Sequence, residues 1–96
     1  MQFLVIAKDG TDEGALDRRM QVREAHLAGV KKLYEEGKFL KGGAILDDAG
    51  KMIGSGVIVD FPSREALDAW LREDPYVTGG VWEEITVHPF KVAQIG

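Results

Sequence analysis

The alternation of apolar and polar positions divides the chain into six predicted elements. Residues 2–8 are apolar and rich in β-branched side chains, and they stop at Asp9-Gly10, the pattern of a strand closed by a turn. Over 13–36 the period becomes helical: Leu16, Met20, Leu27, Val30 and Tyr34 recur at helical intervals, and Val22 and Leu33 widen the stripe. Thr11 or Asp12 is placed to cap that helix and Gly37 to stop it. Gly29 within it costs roughly 1 kcal/mol relative to alanine, which a close packing contact would explain. Strands over 38–46 and 51–60 form a hairpin around Asp47-Asp48-Ala49-Gly50. Ser63 is an N-cap for a short amphipathic helix over 64–72 built on Ala66, Leu67, Trp70 and Leu71, which Asp74-Pro75 interrupts. A last strand runs over 83–92, with an irregularity expected at His88-Pro89 because proline cannot donate to a ladder.

The order β-α-β-β-α-β predicts an α+β, ferredoxin-like fold: a four-stranded antiparallel sheet with both helices on one face. A sheet with its second face in water alternates cleanly between apolar and polar residues. These strands do not. Phe3, Val5 and Ala7 face one way and Leu4 and Ile6 the other, while Phe39 and Ile45 oppose Leu40, Ala44 and Leu46. Nothing else in the chain is left to cover the second face, so a homodimer packed sheet against sheet is expected.

Length and charge narrow the classes. Ninety-six residues make one domain over 1–96, with a thin stability margin of its own. There is no cysteine, hence no disulfide or thiolate chemistry. The net charge is −4, from 12 basic and 16 acidic residues, and no basic face exists to neutralise phosphates, which disfavours nucleic acid as a partner. The apolar run from Phe3 to Ala7 is too short for a membrane span and lacks the basic flank of a signal peptide, so a cytoplasmic location is expected. Two histidines without a matched carboxylate cluster argue against a metal site, and the absence of a phosphate loop or dinucleotide fingerprint against a bound cofactor.

The candidate chemistry is sparse. His26 has Val22 and Val30 as its helical neighbours and so points near the buried stripe, where an unpaired ring is costly. Such a residue is more often a satisfied core histidine than a catalytic one. Arg23 lies one turn earlier on the same side, a surface ion-pair partner or an anion clamp. Asp74 is well placed to cap a short turn at Pro75; alternatively it accepts a hydrogen bond from His26 and fits the ring for general acid–base work. Ser55, between Gly54 and Gly56 in mid-strand, is no nucleophile elbow but remains a ligand-binding hydroxyl. Tyr76, Trp70 and Trp82 read first as core or dimer contacts and second as pocket walls.

Arg23-Glu24-Ala25-His26-Leu27, the hairpin from Gly42-Gly43-Ala44 through Asp47-Asp48-Ala49-Gly50 to Gly54-Ser55, and Asp74-Pro75-Tyr76 follow one another in an order that resembles the YciI-like family. The resemblance runs from Phe3 to Val92. It implies dimeric α/β barrels of ferredoxin-like protomers and a His–Asp active site, here His26 and Asp74; if the chain is an enzyme, Arg23, Ser55 and Tyr76 are the expected substrate contacts. One branch of the family is a dehydrochlorinase acting on a chlorinated hydroxyquinol, and muconolactone isomerases share the fold. The family's usual proline in the glycine-rich strand is absent, with Ala44 and Ile45 in that stretch. The functional expectation is cofactor-independent proton transfer, elimination or isomerisation, on a small organic molecule. The alternatives are a non-catalytic dimeric module binding a small molecule or supporting a partner, and a His26–Asp74 bond that is only structural.

Overall fold

The computed structural model describes residues 1–95. β1 spans Gln2–Asp9, α1 Ala15–Glu35, β2 Phe39–Leu46, β3 Met52–Asp60, α2 Arg64–Glu73, α3 Pro75–Thr78 and β4 Trp82–Phe90. The strands pair antiparallel in the order β2-β3-β1-β4, the ferredoxin-like α+β topology that the periodicity predicts.

Alternate residues of the two central strands make the floor of the core. Phe3, Val5 and Ala7 stand opposite Val59, Val57 and Ser55, and the helices cover them with Leu33, Leu67, Leu71 and Tyr76. Burying each side chain of this size contributes about 1.5–3 kcal/mol, so this layer supplies most of the fold's cohesion. Ser63 caps α2 as predicted, its hydroxyl accepting from Ala66 N at 3.1 Å. On the far face, Leu4 and Ile6 of β1 lie opposite Ile58 and Gly56 of β3, half-buried, and Ile45 of β2 is exposed. The second face is therefore apolar at its centre, as the two-sided strands predict, and polar along β4, where His88, Thr86 and Glu84 stand opposite Leu4, Ile6 and Lys8.

Four local expectations fail. A register shift between Phe39 and Lys41 puts Phe39 opposite Val59, on the helix side with Gly42 and Ala44 and not with Ile45. One bulged residue inverts strand alternation, which parity counting along the sequence does not register. The shift also gives Gly42 its reason: a Cβ there would lie 2.5 Å from the Phe39 ring and 2.8 Å from Val57. The predicted irregularity at His88-Pro89 is absent, because β4 is an edge strand where a proline need remove no ladder bond, and the pairing with β1 shifts instead at Lys8/Asp9. Gly29 meets no close contact; a Cβ built on it has nothing within 4 Å. Neither Thr11 nor Asp12 is the cap of α1. Gly14 holds that position without a side-chain acceptor, and the Asp12 carboxylate instead bonds Gly14 N at 3.2 Å and the Arg18 guanidinium at 2.7 and 2.8 Å.

The largest departure lies in α1. Its buried residues are Ala15, Arg19, His26 and Leu33, while Met20, Leu27 and Tyr34 of the predicted stripe are 51%, 43% and 66% exposed. The helix is turned by about one residue, roughly 100°, from the orientation its apolar side chains favour. Two buried polar residues on that face require partners, which the strands supply for Arg19 and the α2–α3 junction for His26.

Candidate active site

Residues 19 and 26 of α1 are seven apart, two helical turns, so Arg19 and His26 project from the same face toward the sheet. Beneath them lie Asp9 at the end of β1 and Ser55 on β3. Beside them lie Asp74 and Tyr76 at the α2–α3 junction, and Trp82 at the start of β4. A break in the α2 backbone is what delivers Asp74. Pro75 cannot continue the helix, and the Asp74 carboxylate turns to cap α3, accepting from Tyr76 N at 3.0 Å.

That carboxylate also holds the imidazole. His26 Nδ1 lies 2.9 and 3.0 Å from the two Asp74 oxygens, with the imidazole 8% and the carboxylate 1% exposed. An ionised carboxylate has no proton to give, so Nδ1 carries it, and in the neutral ring Nε2 presents a lone pair. Tyr76 stacks on the imidazole with ring centroids 3.8 Å apart, and Trp82 meets it edge-on at 5.6 Å. The ring is thus fixed by a carboxylate on one nitrogen and by aromatic contacts, while Nε2 has no protein partner among the described residues.

A second buried pair adjoins the first. Arg19, 3% exposed, donates from Nη1 to both Asp9 oxygens at 2.9 and 3.1 Å and from Nη2 to Ser55 Oγ at 2.9 Å. Its guanidinium lies 4.7 Å from the centroid of the Tyr76 ring, so Tyr76 touches both Arg19 and His26. Trp82 Nε1 donates to the same Ser55 oxygen at 3.1 Å. Of the fully buried side-chain nitrogens and oxygens, only Arg19 Nε is left without a partner among the described residues. Burial pushes the Tyr76 phenol above its ordinary value, against the opposing pull of the Arg19 and Arg23 guanidiniums, and it remains a neutral hydroxyl at physiological pH.

These groups open on a cleft of about 150 Å³ walled by Arg19, Arg23, His26, Ser55 and Tyr76, with Phe39 and Gly42 on the β2 side. A space of this size accommodates a single six-membered ring. Arg23 is half-buried and forms no hydrogen bond or ion pair among the described residues, leaving a cation directed at nothing but the cleft and solvent.

Of the residues singled out from sequence, His26, Arg23, Ser55 and Tyr76 line this one cleft, and Asp74 stands behind His26. His88 is exposed on β4, where it pairs with Leu4 on the face away from the helices. Trp82 belongs to the core and touches His26 and Ser55 from behind without lining the cleft, and Trp70 packs on Phe61. Sequence reasoning missed Arg19 and Asp9. A signal for both was present. Asp9 continues the inward parity of Phe3, Val5 and Ala7, and Arg19 stands seven residues before His26 on the line through Ala15, Val22 and Leu33.

The YCII-related domain model matches residues 1–91. The chain is 41% identical to Protein YciI of Escherichia coli O6:H1, over 95% of this chain and 97% of that one. It superposes with a TM-score of 0.83 on the 5-chloro-2-hydroxyhydroquinone dehydrochlorinase TftG of Burkholderia phenoliruptrix, solved in complex with 2,5-dihydroxybenzoquinone. The two are 28% identical over 97% of this chain and 96% of the other. A dimeric ferredoxin-like protein from Jannaschia shares the fold at a TM-score of 0.52 and 17% identity, over 95% and 98% of the two chains.

Proposed function

The chain belongs to the YCII-related family, and from that premise we propose that it is a cofactor-independent enzyme moving a proton on a small oxygenated ring compound. One observation carries the reading. A buried imidazole, its Nδ1 committed to Asp74, lines a ring-sized cleft with its second nitrogen unclaimed. His26 Nε2 is the base: it takes a proton from an O–H or C–H of the substrate, and the released electron pair becomes a new π bond. In an elimination the leaving group departs as an anion with its own bonding pair; in an isomerisation His26 returns the proton to another atom of the ring. Asp74 fixes the tautomer and orientation and stabilises the imidazolium formed on the way. Arg23 supplies positive charge, and Ser55 and Tyr76 are polar contacts for the ring's oxygens. The activity of the dehydrochlorinase, at 28% identity over nearly the full chain, supports a substrate of this class.

The apolar second face of the sheet, with Leu4, Ile6 and Ile58, supports a homodimer packed through it. Light scattering at micromolar concentration should return twice the mass of the chain, and the monomeric mass would remove this part of the proposal. The enzymatic part is tested by following chloride release and ring absorbance with chlorinated hydroxyhydroquinones. His26→Asn should lower kcat by roughly 10²–10⁴ while the near-ultraviolet circular dichroism stays native. Tight binding of such rings without turnover of any would instead identify a binding module.

A further inference from the structure

The exposed apolar residues of α1 are not scattered. Met20, Leu27 and Tyr34 stand seven residues apart, two helical turns each, and half-buried Leu16 extends the line by one more turn. An isolated exposed apolar side chain is ordinary, whereas a line of them at this spacing is the seam along which a second helix packs. No element of the chain covers it.

The charges beside the line decide what does. Glu24 and Lys31 flank it on the side away from the cleft, both exposed, and neither forms an ion pair or hydrogen bond among the described residues. They cannot satisfy each other, because seven residues separate them by about 10 Å along the helix axis. We propose that this face of α1 binds the same face of a second copy of the chain, antiparallel, about a two-fold axis passing between Leu27 and Ala28. Leu27 then meets Leu27, and Met20 of each copy meets Tyr34 of the other. Glu24 of each copy meets Lys31 of the other, so both charges are satisfied twice over by one symmetric contact. Glu35 falls opposite the neutral Gln21, and no like charges meet on that flank. A parallel copy would set Glu24 on Glu24 and Lys31 on Lys31, and would align the helix dipoles instead of opposing them. The small side chain of Ala28 at the axis lets the helices approach to ordinary packing distance.

This face points away from the second face of the sheet, so the contact does not compete with a dimer formed there. It depends neither on that dimer nor on any catalytic activity. Leu27 belongs to both the seam and the cleft wall, which puts the second copy along the rim of the cleft. One pair of helices makes a small interface of the weak class, and the association belongs in the range of tens to hundreds of micromolar.

Sedimentation equilibrium of the whole chain tests this, from about 5 μM to about 1 mM. The weight-average mass should rise with concentration above its value at the dilute end. Lys31→Glu and Glu24→Lys should each weaken the association at least about fivefold, because each turns both attractive pairs into repulsive ones. Net charge alone predicts otherwise. At −4 per chain, general repulsion would make Glu24→Lys associate more tightly and only Lys31→Glu less. The double variant Glu24→Lys/Lys31→Glu keeps the net charge and restores both pairs, and should return to within about twofold of the wild type. An equimolar mixture of the two single variants should likewise associate more tightly than either alone. Tyr34→Ala removes an apolar contact made twice, and should weaken the association roughly tenfold at low and high salt alike.

A wild-type mass that stays constant to 1 mM overturns the proposal. So does a Glu24→Lys variant that associates as well as the wild type or better, a natively folded double variant that fails to recover, or an unaffected Tyr34→Ala. All the substituted side chains are exposed, and far-ultraviolet circular dichroism should remain that of the wild type throughout.

Discussion

Helix α2 turns Leu67 and Leu71 to the core and its charges to water, whereas α1 does nearly the reverse, burying Arg19 and His26 and leaving Met20, Leu27 and Tyr34 exposed. Both helices cover the same face of one sheet. For α2 the orientation follows from the hydrophobic effect alone, since its apolar side chains lie on one stripe and that stripe is buried. For α1 the apolar stripe and the buried stripe differ. Burying two polar side chains costs desolvation, which fully made hydrogen bonds roughly offset and rarely exceed. The difference teaches that α2 is a stability element, and that α1 gives up part of its hydrophobic contribution to hold a guanidinium and an imidazole at fixed positions over the sheet.

Removing a partner beneath α1 should break the comparison most severely. Asp9→Asn leaves the Arg19 charge buried and unpaired, and should cost about 3–5 kcal/mol in urea unfolding. Replacing both members, Asp9→Leu with Arg19→Met, should recover most of that loss while disturbing ligand binding at Ser55. A double variant as unstable as the single one would show that the ion pair itself stabilises the fold. In α2 the expectation is of an ordinary core. Leu67 is fully buried, and Leu67→Ala should cost about 2–5 kcal/mol without altering the behaviour of His26, whereas Tyr34→Ala on the exposed stripe of α1 should stay within about 0.5 kcal/mol.

The smallest effect belongs to the neighbouring arginine. Hydrogen bonds from Arg18 hold the exposed Asp12 carboxyl down at about 2, from an ordinary 3.8. A carboxyl depressed on folding stabilises the native state above its ordinary value, and that stabilisation is lost as pH falls through the depressed one. Thermal unfolding of Arg18→Gln should therefore show a slight deficit at neutral pH that disappears between about pH 4 and pH 2. A deficit that persists in acid would mean that the arginine acts through packing. Arg18 and Arg19 are adjacent in sequence, and their expected effects differ because one ion pair is partly solvated and the other is dry.

The site was legible where local geometry encodes it. Asp74 before Pro75 declares a helix break with a carboxylate at its cap, and His26 between Val22 and Val30 declares a ring turned inward. Gly54-Ser55-Gly56 marks a polar residue in mid-strand, and the structure places it under α1. Arg19 was not legible in the same way. An arginine in a helix ordinarily reads as a solvated residue, and only the presence of Asp9 and Ser55 on two different strands makes its burial tolerable.

The sequence by itself determined the order of the elements, the hairpin, the helix break at Pro75 and the two-sided apolar strands, because these follow from short-range periodicity and from glycine and proline stereochemistry. Tertiary structure alone decided which face of α1 is buried, how the bulge at Phe39 and Lys41 turns β2, and that Ser55 accepts from both Arg19 and Trp82. Each of these depends on what a residue far along the chain contributes at the same point in space. Hydropathy cannot register a buried charge that is matched across 10 residues to Asp9 and 36 to Ser55.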